Sequence, residues 1–223
     1  MATSTPRVVS QANAAFDAGC AWIDGEYLPI AEARIPITDT GFTRSDCTYD
    51  VVAVWEGRFF RLDDHLDRFE HSYSALRLKP PLSRAAMREV LFECVRRTGL
   101  HSAYVEMIAT RGVPPAGERD PRRFVNRWYA FAIPYVWIVK PDDQLVGAHL
   151  VVAREVRRID PGSVDPRVKN FHWGDLVRGL FEAYSRGGTT VVLLNAAGEV
   201  TEGPGFNVFA VADGALWTPQ AGV

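Results

Sequence analysis

The sequence predicts an α+β protein in two lobes, and three observations carry that prediction. Candidate strands and helices are mixed along the chain rather than alternating as repeated strand–helix–strand units, which leaves α+β, or an irregular α/β arrangement, as the fold class. Two hairpin signals, Asp24-Gly25 and Glu56-Gly57, fall early in the chain. A short charged stretch, Pro141-Asp142-Asp143, reads as a linker, which sets the expected lobes at residues 1–140 and 141–223.

Composition narrows the class. The chain has 223 residues, 47% of them hydrophobic and 11% aromatic, enough to bury a core and to exclude disorder. The net charge of −2 is spread along the chain, and no basic stripe points to nucleic acid. Cys20, Cys47 and Cys94 are far apart, which argues against a disulfide frame and structural zinc and fits a reducing compartment. The five histidines show no metal-ligand spacing, so no metal site is expected. No apolar run is long enough to span a bilayer, and no basic start leads into an apolar core. A cytoplasmic protein acting on small molecules is the expectation.

Taken in order, residues 1 to about 18 read as a loose arm. Ala21 to Pro29 is a hairpin about Asp24-Gly25, and Ala33 to Thr38 is extended. Asp39-Thr40-Gly41-Phe42 is a turn. Tyr49 to Trp55 is apolar and β-branched, and Glu56-Gly57-Arg58 turns it back into Phe59 to Leu62. Asp63 is expected to cap a helix with Leu62, Leu66, Phe69, Tyr73 and Leu76 inward, stopped by Pro80-Pro81. Ser83 caps a second helix through about Arg97. Ala103 to Thr110 and Trp128 to Val139 are strands around an irregular charged loop. Past the linker, Leu150 to Glu155 is a strand. A helix with Trp173, Leu176, Leu180, Phe181 and Tyr184 on one face ends at Gly187-Gly188. Thr189 to Asn195 and Val200 to Glu202 continue a sheet, Gly203-Pro204-Gly205 breaks it, and Phe206 to Val211 pairs with Ala215 to Thr218.

Three residue types in this framework bear chemistry. Only three lysines occur, and Lys79 and Lys140 stand directly before proline. Lys169 instead leads into the helix that begins near Trp173. Held among apolar residues its ammonium is desolvated, its pKa falls, and the free amine can attack a carbonyl; alternatively its stem packs and its head snorkels to water. Glu202 ends a strand at a glycine break where backbone can approach a ligand, so it can pair with a protonated ring nitrogen, or it is an ordinary solvated strand end. Arg68 follows His65 by three residues on one helix side, and its planar fork suits a phosphate, or it is a solvated charge. Together, a Schiff-base lysine, a carboxylate and a phosphate cation are what pyridoxal phosphate requires. No glycine-rich dinucleotide fingerprint competes.

The motif Glu202-x-x-x-x-Asn207-Val208-Phe209, followed by Leu216-x-Thr218, resembles the signature of the class IV aminotransferases, the fold-type IV pyridoxal-phosphate enzymes. His65-x-x-Arg68 is similar to that family's phosphate arginine, and Val168-Lys169-Asn170 with Trp173-Gly174-Asp175 to its catalytic-lysine segment. Asp39-Thr40-Gly41-Phe42-x-x-Ser45-Asp46-x-Thr48-Tyr49-Asp50-Val51, Gly117-Glu118-Arg119-Asp120 and Pro134-Tyr135-x-Trp137 most resemble the (R)-selective amine transaminases. The resemblance implies a two-lobed protomer and a homodimer. It implies Lys169 as the catalytic residue and covalent anchor, Glu202 on the ring nitrogen, and Arg68 on the phosphate of pyridoxal 5'-phosphate. Tyr49, Tyr104, Glu106 and Trp173 would shape the substrate pocket, and Arg119 would bind a substrate carboxylate. Where the subgroup carries histidine this chain has Arg44. The chain stops inside the family signature, so the expected second lobe is incomplete. The activity implied is transfer of an amino group from an (R)-amine or D-amino acid to a 2-oxo acid such as pyruvate. Branched-chain or D-amino acid aminotransferase, aminodeoxychorismate lyase and a truncated non-catalytic fragment are the alternatives.

Overall fold

Asp24 and Gly25 adopt φ values of 50° and 95°, the left-handed pair that a tight two-residue hairpin needs. Across them β1 (Cys20–Ile23) pairs antiparallel with β2 (Glu26–Pro29). The computed structural model describes residues 18–220, so the loose arm expected over residues 1 to about 18 lies essentially outside the described residues. Within them the chain divides into two compact units, the first ending at Val136.

The first unit is a six-stranded antiparallel sheet in the order β2-β1-β6-β5-β3-β4, completed by β3 (Cys47–Trp55), β4 (Arg58–Phe59), β5 (Ala103–Thr110) and β6 (Arg127–Pro134). β6 stops at Pro134 rather than running on to Val139, because proline has no N–H with which to extend the ladder. Where a turn was expected, Asp39 caps a short helix, α1 (Thr40–Arg44); its Oδ1 accepts from the Gly41 N–H at 2.8 Å. Two longer helices, α2 (Leu62–Ala75) and α3 (Arg84–Thr98), cover one sheet face. Asp63 does not cap α2. Arg61, at φ 53°, holds that position without a side-chain capping bond, and Asp63 and Asp64 lie in the first turn, where they complement the helix dipole. Ser83 caps α3 through the Ala86 N–H at 3.2 Å.

Strand alternation decides which residues meet those helices. Val52, Val54, Val105, Met107, Trp128 and Ala130 pack against Leu66, Phe69, Met87 and Leu91 in one core. The register Tyr49↔Ile108, Val51↔Glu106 and Ala53↔Tyr104 then puts Tyr49, Tyr104 and Glu106 on the opposite face.

The second unit begins at Trp137, and a short helix, α4 (Pro141–Gln144), occupies the expected linker. β7 (Leu150–Arg157) pairs parallel with β8 (Thr190–Leu194), and α5 (Gly174–Ser185) lies on the connection. This is one βαβ unit inside a sequence that reads as non-alternating; a parallel pair needs such a long crossover. The buried face of α5 is Leu176, Gly179 and Ala183, whereas Phe181 and Tyr184, expected inward, are exposed. Close approach explains the shift: a Cβ at Gly179 would stand 2.6 Å from the Leu193 side chain, so only small residues fit between helix and strand. After β8 the chain doubles back, and Leu193 exchanges backbone bonds of 3.0 Å with Thr201 and Glu202. A last hairpin, β9 (Ala210–Ala212) and β10 (Ala215–Trp217), is shorter than the expected pairing. Among the described residues no helix is long and apolar enough to cross a membrane, and no cluster of metal-binding side chains occurs.

Candidate active site

α2 sets Arg68 and His65 one turn apart, facing the core side of β3, where Asp50 is fully buried. Asp50 receives three bonds: Arg68 Nε at 2.6 Å, Arg68 Nη2 at 2.7 Å, and His65 Nδ1 at 2.8 Å. Burial pushes the Asp50 carboxyl upward, but the Arg68 and His65 hydrogen bonds outweigh it and hold it below the usual carboxylate range. The bond to Asp50 in turn raises the Arg68 guanidinium. The Arg68 side chain remains 49% exposed, so its outer edge faces water. The fork expected to grip a phosphate is thus aimed by a carboxylate to which the sequence reading gave no role.

On the other face of that sheet, Tyr104 donates its hydroxyl to Glu106 Oε2 at 2.7 Å. Burial, followed by the charge of Glu106, pushes the Tyr104 phenol up, so it stays a donor at neutral pH. Tyr49 is 5% exposed and lies on β3 opposite Ile108. Arg119 is exposed on the loop between β5 and β6. Glu118 braces that loop, accepting from the Arg119 and Asp120 N–H groups at 2.8 Å each. Arg44 ends α1 and is exposed.

In the second unit, Lys169 is half-buried in the segment before α5. Asn170 shapes that segment: its side-chain amide donates to the Val168 carbonyl at 2.9 Å, and its Oδ1 accepts from the His172 N–H at 3.0 Å. Two contacts bring this segment to the Glu202 loop. Trp173 lies beside Gly205, where an added Cβ would stand 3.5 Å from the indole. Arg158 joins Glu202 Oε1 at 2.9 Å to Asp175 Oδ2 at 2.7 Å, and Asp175 sits in the first turn of α5. Sequence reasoning missed Arg158; one arginine among 22 carries no local signal, and only its burial distinguishes it. At Gly203 a Cβ would come within 2.1 Å of the Phe206 ring, so the break must be glycine.

The family profile of amino-transferase class IV matches residues 48–223, and the chain belongs to that family. A Methanocaldococcus jannaschii protein, provisionally named as a branched-chain-amino-acid aminotransferase, is 29% identical over 89% of this chain and 67% of its own length. A D-alanine aminotransferase of Staphylococcus haemolyticus is 27% identical over 88% of this chain and 67% of its own. The crystal structure of the branched-chain aminotransferase from Thermoproteus uzoniensis with norvaline superposes at a TM-score of 0.77, with 25% identity, 90% of this chain and 67% of that one covered. This chain therefore spans about two thirds of the length of each of these relatives.

Class IV aminotransferases use pyridoxal 5'-phosphate, and solved branched-chain aminotransferases of this fold hold N-(5'-phosphopyridoxyl)-L-glutamate or pyridoxamine 5'-phosphate. The residues present fit it. Within the second unit, an amine, a carboxylate next to the Gly203 opening, and an indole beside Gly205 lie on neighbouring segments; within the first unit, by itself, Arg68 presents an outward guanidinium edge suited to an anion.

Proposed function

We propose that this chain acts as a transaminase, moving an amino group from a primary amine or D-amino acid to a 2-oxo acid such as pyruvate, and works as a homodimer. The supporting observation is the convergence of the Lys169 segment and the Glu202 loop through two separate contacts, Trp173 on Gly205 and Arg158 between Asp175 and Glu202. Bound there, pyridoxal phosphate supplies an electron sink. Lys169 would hold it covalently and would take up and return the proton that leaves the amine-bearing carbon of the substrate. Glu202 holds the ring nitrogen, and the outer edge of Arg68 holds the phosphate. Tyr49, Tyr104, Glu106 and Trp173 bound the substrate, and Arg119 receives a substrate carboxylate.

Protein purified with the cofactor should be yellow, and borohydride should fix the chromophore to the peptide containing Lys169. Lys169→Ala should lose transamination by about 10²–10⁴-fold or more. A preparation that stays colourless with added cofactor sinks the reading. The names of the relatives favour a second reading, transamination of branched-chain or D-amino acids. (R)-1-phenylethylamine left unused while D-alanine or leucine turns over would select it.

A further inference from the structure

Arg158 follows β7 directly, and its side chain is only 10% exposed. Its backbone N–H donates to the Leu194 carbonyl at 2.9 Å, which fixes its stem to the end of β8. Nε then reaches Glu202 and Nη1 reaches Asp175. Asp175 cannot swing away: Oδ2 also accepts from the Ile159 N–H at 2.7 Å, and Oδ1 from the Leu176 N–H at 2.8 Å. Burial acts to lower the Arg158 pKa, but the bonds to Asp175 and Glu202 outweigh it, so the guanidinium stays charged. Asp175 and Arg158 are 13% and 10% exposed at the side chain, whereas Glu202 is 37% exposed and is the member that faces outward.

The charge count is the point. One cation lies between two anions, so the cluster carries a net charge of −1 and would be neutral without Asp175. We propose that Arg158 and Asp175 are positioning residues: Arg158 aims Glu202, and Asp175 cancels the arginine's charge so that Glu202 keeps a full negative charge for a protonated heteroaromatic ring nitrogen. Arg158 with Glu202 alone would form a neutral pair that holds a ring cation weakly. The inference deepens the proposed function and rests on Glu202 facing the cofactor ring.

The experiment uses the full chain reconstituted with pyridoxal phosphate carrying ¹⁵N in the ring, and reads the ring-nitrogen chemical shift and the cofactor dissociation constant at one pH. Folding of each variant is checked by circular dichroism. Asp175→Asn should move the shift toward the unprotonated position and weaken cofactor binding by about tenfold or more. Arg158→Met leaves two carboxylates and should keep the ring protonated, while weakening cofactor binding because Glu202 is no longer aimed. The double variant returns the cluster to −1 and should restore the shift that Asp175→Asn lost, a rescue that a merely structural role does not produce. An unchanged shift in Asp175→Asn, an unprotonated ring in Arg158→Met, or no rescue in the double variant overturns the inference; Arg158→Met decides it even if Asp175→Asn fails to fold. Glu202→Gln separates the two levels: if it leaves the shift unmoved, the underlying site reading has failed instead.

Discussion

Arg68 and Arg158 are both bound to carboxylates through short hydrogen bonds, yet they are buried in opposite senses. Around Arg68 the anion is the interior member: Asp50 is 0% exposed and the arginine 49%. Around Arg158 the cation is the interior member, 10% exposed, and Glu202, at 37%, faces out. The buried partner thus decides which charge each cluster presents. The first offers the edge of a guanidinium, suited to an anion, and the second offers a carboxylate, suited to a cation.

The largest effect expected from this contrast is in the first cluster. Arg68→Met strands Asp50 in the core with His65 alone and should cost about 3 kcal/mol in denaturant unfolding. Asp50→Asn lets the half-exposed arginine turn to water and should cost less, about 1–2 kcal/mol. The reverse order would break the comparison.

Arg158→Met comes next, at about 1–2 kcal/mol of stability, because both carboxylates keep other partners. Asp175 retains the Ile159 and Leu176 N–H groups, and Glu202 can reach water. A loss as large as that of Arg68→Met would mean the two clusters are not different in kind.

The smallest effect is a pH dependence. The Asp50 carboxyl titrates below its unfolded value, so its stabilisation is fully present above about pH 4 and fades as pH falls toward the folded value. Asp50→Asn removes this contribution. The stability gap between the two proteins, measured by urea unfolding, should therefore narrow below about pH 4. A gap that is constant from about pH 6 to about pH 3 would count against an ionised, buried Asp50.

Much of the framework was legible because it rests on local chemistry. Asp24-Gly25 took the left-handed turn its residue types favour. Ser83 capped its helix. The start of α2 fell two residues early, at Arg61 rather than Asp63. The failure in α5 was decided by a distant neighbour: Leu193 leaves room only for Gly179, and Phe181 and Tyr184 face out. In the site the rare lysine and the strand-end glutamate stood out by context, whereas Asp50, Arg158 and Asp175 carried no role until their partners were seen.

By itself the sequence determined the hairpins, the principal helices, the α+β class and the family, because turn chemistry, periodicity and motif spacing act within a few residues of each other. Tertiary structure alone decided which side of each ion pair is buried. That choice joins residues 18 apart for Asp50 and Arg68 and 44 apart for Arg158 and Glu202, and it depends on the packing of strands and helices around them. The sign of the charge each cluster presents follows from that burial, since a charge withdrawn from water stays ionised only where a fixed opposite charge meets it.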